Sequence, residues 1–146
     1  MRRGMTLFEL LVVLVIVGIM AGMVVPGAAS LADRMAVEHE AARLLVAYRS
    51  AWLTARVQHR LALLLVTSDS LAIRTVSGAG APDTLLAWLA PGPNVAGVSI
   101  QGVPHTTVFA PSGAAMGFAN TRLVLSRRGA TRQVVVSRLG RVRVVP

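Results

Sequence analysis

The sequence predicts an α+β chain: one long N-terminal α-helix, its first half apolar enough to span a membrane, packed on a C-terminal antiparallel β-rich domain. Three observations predict it. Residues 10–25 carry no charge. From Ala28 to about Arg56 the pattern becomes amphipathic with a helical period. Beyond residue 60 the period changes to the alternation of strands, punctuated by Gly- and Pro-containing turns.

The apolar run Leu10–Val25 is sixteen residues long. With Met5, Thr6, Leu7 and Phe8 it reaches about the twenty residues that a ~30 Å hydrocarbon core requires. Arg2 and Arg3 precede it and no basic residue follows until Arg34, so the positive-inside rule puts the N-terminus in the cytoplasm and residues from about 27 outside. Glu9 stands at the head of the run. A carboxylate beside a membrane span is costly unless something pairs with it, and so asks for a function. An ordinary secretory signal would also start basic and apolar, with Gly27-Ala28-Ala29 before Ser30 serving as the cut. Against that, the apolar stretch is at the long limit, Glu9 interrupts its start, and nothing stops the helix at the cut.

In the amphipathic part, Val37, Ala41, Leu44, Leu45, Tyr48, Ala51, Trp52 and Ala55 share one stripe at ~100° per residue. Glu38, Arg43, Arg49, Ser50 and Arg56 face the other way. The stripe reads as core. Glu40 and Arg43 can pair across one turn, worth only ~0.3 kcal/mol on an exposed helix. Pro26 lies inside the pattern and removes a backbone hydrogen bond, so a kink or local melting is expected between Gly22 and Gly27.

Leu61–Thr67 and Leu71–Val76 flank Ser68-Asp69-Ser70 and read as a hairpin. Leu85–Ala90, Val95–Ile100, Thr106–Ala110, Leu123–Ser126, Gln133–Ser137 and Arg141–Val145 are further strands, with turns at Arg128-Gly129 and Leu139-Gly140. The segment after the helix, about 90 residues, suffices for one modest core. Cysteine is absent, so no disulfide staples it.

Composition narrows the function. Lysine is absent, which excludes a P-loop, and Gly78-Ala79-Gly80 lacks the third glycine and the setting of a dinucleotide site. His39, His59 and His105 show no metal-ligand spacing, and no G-x-S-x-G nucleophile elbow occurs. The chain reads as a non-enzyme with no cofactor and no metal. All six acids lie at or before Asp83, whereas Arg122, Arg127, Arg128, Arg132, Arg138, Arg141 and Arg143 follow it, a local positive field. In Arg141-Val142-Arg143-Val144, strand alternation puts both arginines on one face and both valines on the other.

The start, Arg2-Arg3-Gly4-Met5-Thr6-Leu7-Phe8-Glu9-Leu10-Leu11, resembles the class III signal of type IV pilins and type II secretion pseudopilins. The resemblance implies that a prepilin peptidase cuts after Gly4 and methylates the amine of Met5, leaving Glu9 as fifth residue of the mature chain. Met5 stands where the family prefers phenylalanine, and Pro26 where many pilins carry proline. Glu9 can then be neutralised by an N-terminal ammonium of its own or a neighbouring chain, which would set the register of a staggered assembly.

Further along, Val108-Phe109-Ala110-Pro111-Ser112-Gly113, followed by residues Gln133 to Arg143, resembles the GspH/FimT family, whereas residues 60–105 match only as generic strands. The resemblance implies a pilin-like fold divided into a leader (1–4), a transmembrane helix (5–26) and a periplasmic domain (27–146) on a single-pass inner-membrane protein. Its partners would be prepilin peptidase, the inner membrane, and other pseudopilins or pilins at a filament tip. The primary setting is the pseudopilus of type II secretion. The alternative is a FimT-type minor pilin of type IV pili, where a terminal Gly-Arg-x-Arg, matched by Gly140-Arg141-Val142-Arg143, is associated with DNA capture. Arg127, Arg128, Arg132, Arg138, Arg141 and Arg143 are then candidate phosphate contacts, although aromatic residues for stacking single-stranded bases are missing nearby.

Overall fold

The computed structural model describes residues 6–77, 83–116, 120–137 and 139–145, apart from the side chains of residues 23–26, 77, 83 and 84. Helix α1 spans Leu7–Val57 and opens at Thr6, whose hydroxyl accepts a hydrogen bond from the Glu9 backbone N–H at 3.2 Å. This is the N-cap arrangement that a threonine three residues before a glutamate favours. The helix runs unbroken through Pro26, so the local melting expected there does not occur. A single proline removes only one hydrogen bond of the helix.

The amphipathic half carries the fold. Val37, Ala41, Leu44, Ala47, Tyr48, Ala51 and Ala55 are buried, while Leu45 and Trp52 are partly so. Four alanines in this stripe let the strands approach the helix closely.

Two antiparallel sheets cover it. One has five strands, β1 (Ala62–Val66), β2 (Ser70–Ser77), β3 (Asp83–Pro91), β5 (His105–Phe109) and β6 (Ala115–Met116), in the order β3-β2-β1-β5-β6. The other has four, β4 (Ser99–Gln101), β7 (Thr121–Arg127), β8 (Ala130–Val136) and β9 (Val142–Val145), in the order β4-β7-β8-β9. Alternation places Leu64, Val66, Leu71, Ile73 and Phe109 from the first sheet, and Leu123, Leu125, Val134 and Val136 from the second, in one core with the helix. Each such side chain contributes about 1.5–3 kcal/mol on burial. Tyr48 sits at the centre, edge-on to Phe109 with centroids 6.4 Å apart. Its hydroxyl accepts from Thr107 Oγ1 at 3.5 Å, and burial pushes its pKa up. Among the described residues, every buried side-chain N or O atom has a partner.

Seven of the eight expected strands are found, with ends shifted by a few residues. Val95–Ile100 differs: Pro93–Ala96 form a 3-10 turn and only Ser99–Gln101 pair as β4. Asn94 N–H donates to Ser68 O, and Asn94 Nδ2 to Asp69 Oδ1, so the segment is folded onto the β1–β2 turn before it can extend. The two-residue strand β6 had no period to announce it.

Candidate functional site

The N-terminal site is a helix end facing solvent. Leu7, Phe8, Leu10, Leu11 and Leu14 are all more than half exposed, Leu7 by 84%. The long helix is long and apolar enough to cross a membrane, and its apolar window is wholly unburied within the fold. Glu9 lies in its first turn, where a carboxylate also complements the helix dipole. Gly4 and Met5, where cleavage and methylation are expected, lie outside the described residues, as do Gly78, Ala79, Gly80 and Arg138.

Sheet parity sorts the C-terminal arginines. Arg127 alternates with buried Leu125 and Leu123, and Arg132 stands opposite Leu125 in register, so both are on the side facing the helix. There they meet its acids. Arg127 Nε lies 2.8 Å from Asp33 Oδ1, and Arg132 Nε lies 2.7 Å from Glu38 Oε2. Arg127 also donates to Ala96 O at 3.0 Å. A third pair, Glu40 with Arg43 at 2.8 Å, was expected as a surface contact. Instead Glu40 is only 1% exposed, and Arg43 donates onward to Pro91 O at 2.9 Å, tying the helix to β3. In the Arg127–Asp33 and Arg43–Glu40 pairs the carboxylate is buried, so losing either arginine would leave an unpaired buried charge, whereas the Arg132–Glu38 pair is exposed on both sides and contributes little.

Arg141 and Arg143 have the other parity. They are exposed while Val142 and Val144 turn toward the core, as the alternation predicts. Arg122, opposite Val135, which is itself opposite Arg143, shares that outer face. Arg128 is exposed in the two-residue β7–β8 turn, where it and Gly129 both have positive φ, 45° and 105°.

The glycines Gly113 and Gly140 of the two C-terminal motifs have a structural role. Gly113 and Gly140 both adopt left-handed backbone, φ 87° and 73°. A Cβ on Gly140 would lie 3.0 Å from Gly113 O and 3.6 Å from Trp52, and one on Gly113 would lie 2.7 Å from Trp52 Nε1. Trp52 Nε1 donates to Gly113 O at 3.0 Å, and Arg56 lies over the indole at 4.8 Å. Two segments separated by more than twenty residues thus meet on one tryptophan.

Beside that joint runs a groove of about 440 Å³ between α1 and β9. Leu45, Tyr48, Trp52 and Val142 give it an apolar floor, and Arg49, Arg141 and Arg143 line its rim. Sequence reasoning missed it, because Arg49 lies some ninety positions before the strand it faces. The signal that was available is that Arg49 sits just off the core stripe.

Residues 1–25 match the prokaryotic N-terminal methylation motif. Two crystal structures of the type IV minor pilin FimU from Pseudomonas aeruginosa strain PAO1 share the fold. One, in space group P21, has a TM-score of 0.63 at 17% identity over 80% of this chain and 92% of that one. The other, in space group P65, has a TM-score of 0.56 at 15% identity, over 75% and 92%. No curated protein matches the chain. The chain carries this motif on a pilin-like fold. Motif and fold are those that the GspH/FimT resemblance implied. In a pilin-like protein the methylation motif implies processing by prepilin peptidase and assembly with other pilins, and with the apolar helix it indicates anchoring in the inner membrane.

Proposed function

We propose that this pilin-like protein is a minor pseudopilin, a structural and assembly subunit at the tip of the type II secretion pseudopilus. The observation that carries the proposal is the division of one helix. Its first half presents an apolar surface with no partner in the fold and Glu9 at its head, whereas its second half is enclosed by two sheets. A subunit built this way can be cut at Gly4, methylated at Met5, held by residues 5–26 and docked through Glu9, with residues 27–146 displayed in the periplasm.

Processing and setting are tested separately. In cells with prepilin peptidase, mass spectrometry should find a mature chain starting at N-methylated Met5; a start at Ser30 would overturn the proposal. Glu9→Leu should leave cleavage and insertion intact, since it makes the span more apolar, yet reduce recovery in the sheared or cross-linked filament fraction. Deleting the gene should stop export of folded proteins while leaving surface pili in place.

The type IV pilus is the second reading, supported by the fold likeness to FimU; loss of pili with normal secretion would favour it. Within that reading DNA capture rests on Arg128, Arg138, Arg141 and Arg143, because Arg127 and Arg132 are engaged by Asp33 and Glu38.

A further inference from the structure

The groove between α1 and β9 combines three properties. The first is unmatched charge. Arg43, Arg127 and Arg132 each hold a carboxylate, whereas Arg49, Arg141 and Arg143, which line the groove, have no carboxylate partner among the described residues. The second is a free strand edge. β9 is the last strand of its sheet, and Ser137 N–H donates to Arg141 O at 2.8 Å. Hydrogen-bonded pairs alternate in an antiparallel ladder, so Arg143 and Val145 also bond toward β8, and the N–H and C=O groups of Val142 and Val144 point away from it. The third is the apolar floor supplied by Leu45 and Trp52.

We propose that this groove binds an extended acidic segment of another protein, added as a further strand beside β9. The register follows from the pleat. Side chains opposite Arg141 and Arg143 would stand on the outer face, where carboxylates meet guanidinium groups across the strand pair. Side chains opposite Val142 and Val144 would turn inward onto the floor. The segment therefore alternates acidic and apolar residues. Residues 141–144 offer about 13 Å of edge at ~3.3 Å per residue, room for roughly four residues.

The chain cannot supply this segment itself. Of its six acids, Glu9 belongs to the membrane half, Asp33, Glu38 and Glu40 hold arginines, and Asp69 and Asp83 stand apart with no acidic neighbour in the sequence. A second copy of a chain with net charge +9 is no better a source. Nucleic acid could use the same arginines, but it has no use for backbone donors and acceptors at a strand edge.

The test uses the full chain in detergent micelles with Trp88→Phe, so that Trp52 reports alone. The probe is the blocked hexapeptide Ac-Glu-Val-Glu-Val-Glu-Val-NH2. Saturable change in Trp52 emission is expected, weakened about tenfold by Arg141→Gln with Arg143→Gln, again by Arg49→Gln, and by high salt. Arg74→Gln, exposed on the other sheet, should leave binding unchanged. A peptide N-methylated at alternate residues should bind about tenfold more weakly, because strand addition needs its N–H groups. The proposal is overturned if the hexapeptide does not bind, if Ac-Lys-Val-Lys-Val-Lys-Val-NH2 binds equally, or if N-methylation has no effect. It is likewise overturned if a duplex oligonucleotide displaces the peptide at lower concentration, which would assign the arginines to DNA.

Discussion

Both halves of α1 carry leucines, and what covers those leucines differs. Leu14, in the first half, is 63% exposed; Leu44, in the second, is fully buried. Both lie in one unbroken helix. Hydrophobicity alone therefore does not tell where a fold's stability resides: the first half is apolar all round and awaits lipid or other helices, while the second is apolar on one stripe and is met by two sheets. The sharpest way to break this comparison is to truncate both leucines. Leu44→Ala should destabilise the globular head, residues from about 30 onward, by about 2–5 kcal/mol, whereas Leu14→Ala should leave its unfolding midpoint unchanged. Chemical denaturation of the two variants in the same detergent measures this. Equal losses would mean that the halves share one cooperative core.

The same contrast extends to the arginines. Arg127→Ala should cost about 1.5–3 kcal/mol, because it leaves nearly buried Asp33 and the Ala96 carbonyl without their donor. Arg141→Ala should cost well under 1 kcal/mol, an exposed cation with no protein partner being close to neutral for stability. Thermal unfolding of both separates cations that hold the sheets on the helix from cations left free to bind.

This sorting marks the boundary of what could be read from the sequence. The helix was legible to within one residue of its end, and with it the stripe from Val37 to Ala55, because its period is local. Strand alternation at Arg141–Val144 was legible for the same reason. That Arg127 and Arg132 face the helix was not, since parity fixes only two sides and the sheet's position decides which side is inward. Val95–Ile100 failed similarly: its alternation was real, but Asn94 is bound to Ser68 and Asp69 twenty-five positions away. The groove required Arg49 and Arg143 to be brought together by folding. Local periods are visible in one dimension, and sites made of distant segments are not.

Loss of a single hydrogen bond should come next in size. Trp52→Phe keeps most of the ring but leaves Gly113 O without its donor, so about 1 kcal/mol of stability should go. Because the indole also seats Gly113 and Gly140, the effect should be confined to the head, and deleting residues 1–29 should not change it.

The smallest expected effect is a pH dependence, and it should also belong to the head alone. His105 is partly buried at the start of β5, its Nε2 lying 3.0 Å from Thr121 Oγ1, and burial lowers its pKa from the ordinary value of 6.5. The folded state therefore holds the imidazole neutral at pH values where the unfolded chain would already bind a proton. By linkage the unfolded state takes up more protons as pH falls, so the contribution of His105 is fully present above 6.5 and is lost as pH drops through that value toward the lower folded pKa. Melting temperature should then decline between neutral and mildly acidic pH. His105→Gln, which keeps a polar partner for Thr121 without titrating, should flatten that part of the decline. The flattening should be the same in the full chain and in a head lacking residues 1–29. A decline unaffected by the substitution would assign the titration to other groups, and a flattening seen only in the full chain would mean that the membrane half contributes to the head's stability after all.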